Sequence, residues 1–389
     1  MNRVRGTVLS ALAITCLTIA PAMAAGKPST PPAVTPPVVM DKSEVEVQIL
    51  AINDFRGYLE PPAGSSGRVA DIVDGVPVTV DAGGAEYLAS HVKALEAENR
   101  NTVVVSAGDL IGASPLISAL FHDEPTIEAM NQIGLDINAV GHREFDEGVD
   151  ELIRLQHGGC HPTDGCLDGD GFAGADFQFL AANVMNVAAG EPLFPPYAIK
   201  TFNGAKVAFI GLTLEGTPLI VSPAGVAGLE FKDEADTVNA LVPRLKQMGV
   251  SAIVVLVHEG GAQIGGIGIN QCVGITGPIV DIVERLDPRV DLVISGHTHQ
   301  PYNCVIDGIP VTSAFSFGRL VTDIDLRVDR AKKEVTSIAI ENRIVTRTVP
   351  EDAGVSALID RYNAIAAPIA GRVIGRIMAD IPNVRNVPA

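Results

Sequence analysis

The chain has 389 residues, with 46 Asp and Glu against 28 Lys and Arg, and a formal net charge of -18. This length allows one large domain or about two of ~150 residues, and it suffices to bury a sizeable core. The negative charge argues against nucleic-acid binding, which depends on contacts from basic side chains to phosphates.

The N-terminal 24 residues have the pattern of a secretory signal peptide. Arg3 and Arg5 supply a positive start, an apolar run extends from Val8 to Ala20, and Ala22-Met23-Ala24 forms a small-residue cleavage site. We expect cleavage there, export to the periplasm or the medium, and a mature charge of about -20. Cys16 inside the apolar run leaves a lipid anchor as the less favoured alternative, and no other stretch predicts a membrane span.

Three further regions follow the signal peptide. Residues 25–43 are proline-rich and predict an extended linker. Residues 44–347 alternate between strand and helix patterns and predict an α/β domain, in which Asn203-Gly204 between two apolar runs predicts a hairpin. In residues 348–389, Glu351 to Ala370 predicts a helix and Val373 to Ile381 a strand. The strand has nothing in the sequence to pair with, so it frays, docks on the body or begins a further domain.

Apolar periodicity predicts the remaining elements. Helices are expected at about Gly84–Glu98, Glu124–Ile133, Glu147–Leu155, Lys232–Met248 and Pro278–Leu286. Strands are expected to end at Ile52, Val257 and Ser295, and to span Thr102–Ser106, Ile137–Val140, Phe177–Val184, Ile309–Ser313, Leu320–Val328 and Val335–Val345.

Four cysteines remain after signal cleavage. In an exported protein an even number favours disulfides, most simply Cys160 with Cys166 and Cys272 with Cys304, although three connectivities are allowed. Zinc binding by these thiols is the weaker interpretation, because the paired C-x2-C spacing is lacking, and His161 is interpreted as a surface residue.

Four apolar runs each end in a carboxylate or an imidazole. VEVQILAINDFRG leads to Asp54, TVVVSAGDLIG to Asp109, SAIVVLVHEGG to His258, and DLVISGHTHQPYNC to His297 and His299. Open α/β sheets place their sites at such strand ends. These oxygen and nitrogen ligands hold zinc, manganese or similar ions, which supply the positive charge that an acidic protein needs to accept a phosphate. The pattern predicts one or two divalent metals and phosphoester hydrolysis.

Six motifs, in order, resemble the bacterial 5'-nucleotidase family of calcineurin-like metallophosphoesterases: NDFRGYLEP, SAGDLIGASPL, VGHREFDEG, LAANV, VHEGG and SGHTHQPYNC. The resemblance covers about Glu44 to Ile381. It implies a four-layer αββα sandwich of two mixed sheets with a dinuclear metal site, joined by a long helix to a C-terminal domain that binds the nucleoside. By this resemblance, residues 348–389 are expected to be the linker helix and the first strand of a C-terminal domain that is truncated after about Ile381.

The resemblance also implies roles for the residues at the strand ends. Asp54 and His299 match ligands of the first metal, and Asp109 matches the ligand that bridges both metals. His258 and His297 match ligands of the second metal.

The chain departs from the family at three positions. Arg56 stands where the family has a first-metal histidine, and His142-Arg143 replace an asparagine ligand and a transition-state histidine. Arg56 cannot be a ligand because a guanidinium has no lone pair, whereas His142 can take the place of the asparagine oxygen. Asp146 matches the aspartate that orients the catalytic histidine. Asn183 matches a residue near the substrate, although a backbone-turn role is an equal alternative.

These departures predict a mononuclear site, with Arg56 near the place of the first metal's charge and Arg143 facing the phosphate. Arg143 can stabilise negative charge but cannot donate a proton to a leaving alkoxide near neutral pH. The expected partner is a small phosphoester or nucleotide, with no membrane association after signal cleavage, and the oligomeric state is left open. The alternative is a non-catalytic phosphate- or nucleotide-binding protein that keeps one metal. Other histidines, His91, His122 and His157, are interpreted as surface or satisfied residues.

Overall fold

The computed structural model describes residues 43–266, 268–375 and 378. The strands in these residues are β1 Glu44–Ile52, β2 Arg68–Val73, β3 Val76–Asp81, β4 Thr102–Ser106, β5 Ile137–Ala139, β6 Gln178–Leu180, β7 Val184–Asn186, β8 Glu191–Pro192, β9 Tyr197–Phe202, β10 Ala205–Thr213, β11 Leu229–Phe231, β12 Ala252–His258, β13 Leu292–Ser295, β14 Pro301–Ile306, β15 Ile309–Ala314, β16 Leu320–Asp329 and β17 Glu334–Ile344. The α-helices are α1 Ala85–Glu96, α2 Leu116–Ala119, α3 Glu124–Ile133, α4 Val149–His157, α5 Glu234–Gln247, α6 Pro278–Glu284 and α7 Ala353–Ala370.

Two six-stranded mixed sheets organise these elements. The first has the order β17-β16-β1-β4-β5-β6, and the second has the order β14-β15-β13-β12-β10-β9. In the first sheet β1, β4, β5 and β6 run parallel, and β16 pairs antiparallel with β1. In the second sheet the predicted hairpin is confirmed, because β9 and β10 pair antiparallel around Asn203 and Gly204.

Both faces of the central strands are buried, which requires a layer on each side. Along β1, Val47 and Ile49 pack between the two sheets, while Leu50 and Ile52 pack toward the helices. The helices α1, α3, α4 and α7 cover the outer face of the first sheet, and α5 and α6 cover that of the second. The predicted four-layer αββα sandwich is therefore confirmed.

The predicted single strand Phe177–Val184 is wrong. Its residues form β6 in the first sheet and β7 in a small separate sheet with β8 and β11. Between them the chain crosses to the second sheet, where the Ala182 N–H donates to the Gly211 carbonyl at 2.7 Å. A continuous apolar pattern did not reveal this crossing, because the residues stay buried on both sides of it.

Helix α7 packs onto the αββα body. Its first turn is capped by Asp352, whose carboxylate accepts from the N–H groups of Gly354 and Val355. Its apolar face, including Val355 and Tyr362, joins the core beside α3. Residues 372–375 contain no strand, and the rest of the predicted strand Val373–Ile381 lies almost wholly outside the described residues. So do the predicted signal peptide and nearly all of the linker.

Two disulfides confirm the predicted pairing. Cys160 is bonded to Cys166, and Cys272 is bonded to Cys304. Within the described part of the chain, none of the helices has both the length and the apolar character needed to cross a bilayer.

Candidate metal centre

The two sheets bring their strand ends to one place. β1 and β4 are parallel neighbours, so Asp54 and Asp109 emerge at the same edge of the first sheet. β12 and β13 are parallel neighbours in the second sheet, so His258 at the end of β12 lies near His297, which follows β13. A hydrogen bond of 2.8 Å from His258 Nδ1 to the Ala107 carbonyl joins the two edges.

The backbone at these strand ends is unusual. Asp54, Asp109, His297 and His299 all have left-handed φ values, at 51°, 49°, 69° and 52°. Such values are uncommon in residues other than glycine, and they occur where surrounding structure holds a functional side chain in place. Position 141 requires a glycine, because Asp109 packs so close to it that a Cβ atom there would clash.

Three ligand atoms form a compact triangle. Asp109 Oδ1 lies 3.1 Å from His258 Nε2 and 3.2 Å from His142 Nδ1, and the two imidazole nitrogens lie 3.2 Å apart. His297 places a ring nitrogen within 4.8 Å of those of His142 and His258. Metal–ligand bonds of about 2.0–2.1 Å in tetrahedral geometry separate ligand atoms by about 3.3 Å. The triangle has the dimensions of one face of such a site.

A second group lies beside the triangle. Asp54 Oδ1 lies 3.1 Å from His299 Nε2 and 3.9 Å from His258 Nε2. The other oxygen of Asp54 accepts from Asn53 Nδ2 at 2.7 Å and from the His297 N–H at 2.9 Å. These bonds orient the carboxylate so that Oδ1 faces the cluster.

Several atoms of the cluster have no hydrogen-bond partner among the described residues. They are Asp54 Oδ1, Asp109 Oδ2 and His297 Nδ1, and all three are buried. An unsatisfied buried polar atom is costly, and in a native structure it calls for an explanation such as a bound ion. His258 donates from Nδ1 to a carbonyl, so its Nε2 presents a lone pair to the cluster when the ring is neutral. These residues fit a divalent metal.

The electrostatics of the cluster favour positive charge. Burial by itself would raise the pKa of Asp109, but the charge of His258 and hydrogen bonds from His142 and His258 hold that pKa well below its usual range. Burial would lower the pKa of His258, yet the Asp109 carboxylate raises it to about 10. Burial and the nearby charges of His258 and His142 lower the pKa of His297 to about 4, so this ring is neutral.

The two arginines singled out from the sequence, Arg56 and Arg143, both contact Asp109 of the cluster. Arg56 Nη1 is 3.8 Å from Asp109 Oδ2, and Arg56 Nε donates to the Gly112 carbonyl at 3.4 Å. The Arg143 N–H donates to Asp109 Oδ1 at 2.9 Å, and its guanidinium lies 3.3 Å from Asp146 Oδ2. Arg143 and Asp146 both line a cavity of about 140 Å³.

Asn183 has a backbone-holding role. Its side-chain amide donates to the carbonyls of Thr213 and Lys232 at 2.6 and 2.9 Å, and its side-chain oxygen accepts from the Thr213 N–H at 2.9 Å. In the described residues, its side chain has no hydrogen bond to the ligand cluster. Its effect on the site is indirect, since Thr213 pairs with His258 across β10 and β12.

The sequence reasoning missed Glu144. Its buried carboxylate accepts from the N–H groups of Asp109, Leu110 and Gly141 at 3.1, 2.9 and 2.8 Å. Burial and the Asp109 charge raise the pKa of Glu144 to about 8. Glu144 lies within VGHREFDEG, but its residue type alone did not distinguish it from an ordinary surface acid.

Phe317 was also missed. Its N–H donates to the Asp54 carbonyl at 2.8 Å, and its ring lies 5.2 Å from that of His299 and 4.1 Å from that of Tyr58. No local sequence signal marks it, because its contacts with Asp54 and Tyr58 join parts of the chain that are more than 200 residues apart.

Comparison with known proteins places this site in context. A comparison with protein-family models finds no match. The chain is 34% identical over 341 residues to endonuclease YhcR of Bacillus subtilis, covering 87% of this chain and 27% of that relative. It is 30% identical over 210 residues to a 5'-nucleotidase of Vibrio cholerae, covering 53% of this chain and 34% of that relative. The matched part is therefore about a third or less of the length of either relative.

The fold has a solved counterpart in the calcineurin-like phosphoesterase YfkN from Bacillus subtilis. The two structures superpose with a TM-score of 0.65 at 22% identity, covering 85% of this chain and 100% of that one. The order of the strands in the two sheets and the ligand cluster at the strand ends are consistent with these similarities. The chain is therefore similar in sequence to a 5'-nucleotidase over about half of its length, and it has the fold of a calcineurin-like phosphoesterase.

Proposed function

We propose that this protein is an exported, metal-dependent phosphoesterase that hydrolyses nucleotides or related small phosphoesters. The observation that supports this most is the triangle of Asp109 Oδ1, His142 Nδ1 and His258 Nε2, with sides of 3.1, 3.2 and 3.2 Å. With His297 it forms a four-residue donor set suited to zinc, manganese or a similar divalent ion. A divalent ion bound there would polarise a phosphoryl oxygen and lower the pKa of a bound water.

We propose one such ion rather than two. Arg56 neutralises Asp109 Oδ2 from 3.8 Å, on the side of the carboxylate turned away from the triangle. A guanidinium cannot coordinate a metal, and its fixed charge repels a second cation nearby. In this proposal Asp54 and His299 help to orient the neighbouring ligands and accept hydrogen bonds from water or from substrate hydroxyl groups. Any ion between these two residues is bound weakly.

Arg143 is proposed to bind the phosphoryl group. Its guanidinium is held by Asp146 at 3.3 Å, and its Nε is buried without a hydrogen-bond partner among the described residues. A phosphoryl oxygen would satisfy that N–H and gain a charge-assisted bond. Because a guanidinium does not release its proton near neutral pH, poor leaving groups depart without acid assistance. Activity on alkyl phosphates is therefore proposed to be reduced.

Export is supported by the signal-peptide pattern of residues 1–24 and by the two disulfides, which persist in oxidising compartments. We propose small phosphoesters rather than nucleic acid as substrates, although the Bacillus relative is named an endonuclease. The matched region is only 27% of that relative, and the net charge of -18 opposes binding to a polyanion.

The test is hydrolysis of nucleoside monophosphates, a cyclic phosphodiester and nitrophenyl phosphate by purified protein. The protein is first stripped by a chelator and then given zinc or manganese. We expect activity to depend on the added ion and to fall at least ~100-fold in Asp109→Asn and in His297→Ala. His157→Ala, which changes an exposed histidine on α4, is the matched control and should keep full activity. Metal binding without turnover on any ester would indicate the phosphate-binding alternative, and activity that survives in Asp109→Asn would refute the proposed site.

A further inference from the structure

A pair of aromatic rings lies beside the candidate metal centre and outside the hydrophobic core. Tyr58 and Phe317 are both half-buried, and their ring centroids lie 4.1 Å apart at an interplanar angle of 33°. Within the described part of the chain, neither ring belongs to the clusters of apolar side chains that form the core. Aromatic rings that do not fill a core are typical of binding surfaces, so this aromatic pair is a candidate for one.

The aromatic pair is connected to the metal centre through backbone and ring contacts. The Phe317 N–H donates to the Asp54 carbonyl at 2.8 Å, and Tyr58 follows Asp54 by four residues. The Phe317 ring lies 5.2 Å from the ring of His299, whose Nε2 is 3.1 Å from Asp54 Oδ1. One imidazole ring therefore separates Phe317 from the carboxylate of Asp54.

The loop between β15 and β16 holds Phe317 in an unusual backbone conformation. Phe315 and Phe317 have left-handed φ values of 68° and 60°. Such values are outliers for bulky residues, and they persist at sites where the surrounding structure enforces them. Here Asn53 Oδ1 accepts from the Ala314 N–H at 2.7 Å, and Asn53 Nδ2 donates to the Phe315 carbonyl at 2.8 Å. The residue before Asp54 thus fixes the loop that presents Phe317.

A buried arginine adds positive charge and anchors Phe317. The guanidinium carbon of Arg319 lies 3.6 Å from the ring centroid of Phe315 and 5.1 Å from that of Phe317. Arg319 is 5% exposed, and burial lowers its pKa to about 10, so it stays charged at neutral pH. A desolvated cation is attracted to aromatic faces, and its charge also favours an anionic ligand in a chain of net charge -18.

Tyr58 is the open end of this arrangement. Among the described residues, Phe317 is the only aromatic ring that stacks on it. The Tyr58 hydroxyl makes no hydrogen bond to these residues and is not one of their buried unpartnered atoms, so it is open to solvent. A further planar group can therefore extend the stack from the solvent side of Tyr58.

The position of the aromatic pair selects the kind of ring that it fits. In an aryl phosphate the ring is bonded directly to a phosphoryl oxygen, so it stays next to a phosphoryl group at the metal. In a nucleotide a pentose separates the base from the phosphate, which matches the His299 ring that lies between Asp54 and Phe317. Stacking on aromatic side chains tolerates every base, because each base has a π face.

We propose that Tyr58 and Phe317 form a stacking site for the base of a nucleotide whose phosphate lies at the candidate metal centre. The inference rests on the proposed function for the position of the phosphate. The aromatic pair contributes to affinity through the apolar faces of its rings, and no bond is made or broken there.

The experiment measures binding of adenosine to the full chain with added zinc. Adenosine carries the base but no phosphate, so it is not hydrolysed at the metal centre, and ribose is the matched probe without a base. We expect adenosine to bind at least ~10-fold more tightly than ribose in titration calorimetry. Tyr58→Leu and Phe317→Leu should each bring the two affinities together, with an unchanged circular dichroism spectrum.

Two further variants are the controls. Tyr58→Phe keeps the ring and should bind adenosine within about twofold of the wild type, because stacking needs no hydroxyl. Tyr197→Leu changes a half-buried tyrosine on β9 in the second sheet and should also bind adenosine as the wild type does.

A measurement on the wild type does not depend on the folding of the leucine variants. The chain contains five tyrosines, and isotope labelling resolves their ring signals by NMR. The signal that is missing in Tyr58→Phe is that of Tyr58. Adenosine should shift this signal through the ring current of the stacked base and leave the Tyr197 signal in place.

Kinetics provide a second readout. With zinc added, Tyr58→Leu should raise the KM for adenosine 5'-monophosphate about tenfold more than the KM for nitrophenyl phosphate. Equal changes in the two KM values would contradict a site that contacts the base.

The inference is also overturned if adenosine binds no more tightly than ribose, if adenosine leaves the Tyr58 signal unshifted, or if Tyr58→Phe loses as much affinity as Tyr58→Leu. Each of these results leaves metal-dependent hydrolysis measurable. Absence of hydrolysis, with adenosine still bound at Tyr58, would instead refute the proposed function and not the stacking site.

Discussion

Arg56 Nη1 lies 3.8 Å from Asp109 Oδ2, while Asp109 Oδ1 lies 3.1 Å from His258 Nε2. One buried carboxylate thus faces a fixed guanidinium on one side and imidazole nitrogens on the other. Only the imidazole side can coordinate a metal, because a guanidinium has no lone pair. The different surroundings of the two Asp109 oxygens are the structural basis for proposing a single metal site on the imidazole side.

The first prediction changes the guanidinium side. Arg56→His removes the fixed charge and adds a nitrogen donor beside Asp54, Asp109 and His299. We expect bound metal to rise from about one ion per chain toward two at this centre, and hydrolysis to accelerate about tenfold or more, because two ions clamp both the attacking and the leaving oxygen. Metal analysis and steady-state kinetics check this.

The matched control is Arg68→His. Arg68 is an exposed arginine that pairs with Asp81 at 3.1 Å on the separate two-stranded sheet of β2 and β3. This change should alter neither metal content nor rate. If Arg56→His binds no additional ion and hydrolyses its substrate no faster, Arg56 is not what prevents a metal from binding beside Asp54 and His299. The proposal of a single metal at this centre then loses its support.

The second prediction concerns the leaving group. Arg143→His introduces a group that can donate a proton near neutral pH and that remains within reach of Asp146. We expect hydrolysis of a nucleoside monophosphate to rise on the order of 10² relative to nitrophenyl phosphate, whose leaving group needs no acid.

Arg143→Ala separates acid catalysis from phosphate binding. It removes the cation without adding an acid, so both esters should slow together and the ratio of their rates should stay close to the wild-type value. An unchanged ratio in Arg143→His as well would show that proton donation is not limiting.

The third prediction concerns Glu144. Each of its carboxylate oxygens accepts a backbone N–H of the Asp109 loop. At about pH 9, above the raised pKa of Glu144, both carboxylate oxygens accept. Glu144→Gln offers only one acceptor oxygen, so at least one buried N–H is left unpaired at a cost of about 1–3 kcal/mol. Urea unfolding should show that loss, with weaker metal binding beside it, whereas Glu191→Gln at an exposed position should show neither. Equal stability of the two variants would mean that Glu144 does not hold the loop.

The strand-end cluster could be predicted from sequence because its signal is local. Asp54 comes two residues after the end of β1 and Asp109 three residues after the end of β4, and parallel strands end at a common edge. The register of the sheets then brings the ligands together without any further information. The same reasoning explains why the hairpin at Asn203-Gly204 was predicted correctly.

Other parts depend on contacts that no local pattern encodes. The role of Glu144 arises from N–H groups 34 and 35 residues away in the chain. The His122–His161 stack requires the disulfide loop to fold back onto the α2–α3 junction, so each histidine alone resembled a surface residue. The break between β6 and β7 was missed because burial is continuous through it while the hydrogen-bond partner changes from one sheet to the other.

The fourth prediction compares the two disulfides. Cys160–Cys166 closes a loop with a sequence separation of 6, and Cys272–Cys304 closes one of 32. By loop entropy alone, removing the first should cost about 2 kcal/mol and removing the second about 4 kcal/mol. Urea unfolding of Cys160→Ala/Cys166→Ala and Cys272→Ala/Cys304→Ala should show that order. The reverse order would indicate that contacts made by the loops outweigh chain entropy.

The last prediction is a pH dependence of stability that Glu86 causes. Glu86 lies in the first turn of α1, is 6% exposed, and has an oxygen without a hydrogen-bond partner among the described residues. Burial, with the charge of Glu351, raises the pKa of Glu86 to about 7 from an ordinary value of 4.5. The folded state therefore holds this proton more tightly than the unfolded state between those two pH values. It follows that the free energy of unfolding falls as pH rises through this range. Below about pH 4.5 Glu86 does not lower the free energy of unfolding, and above about pH 7 it lowers that free energy in full, by roughly 2–3 kcal/mol.

Glu86→Gln removes the ionisation. This variant should be more stable than the wild type at about pH 8, and its free energy of unfolding should no longer fall between about pH 5 and 7 because of this group. Urea unfolding across that range measures both effects, with Glu98→Gln at the exposed end of the same segment as the control that should follow the wild type. Parallel profiles for Glu86→Gln and the wild type would mean that the carboxyl group ionises as easily in the folded protein as in the unfolded chain.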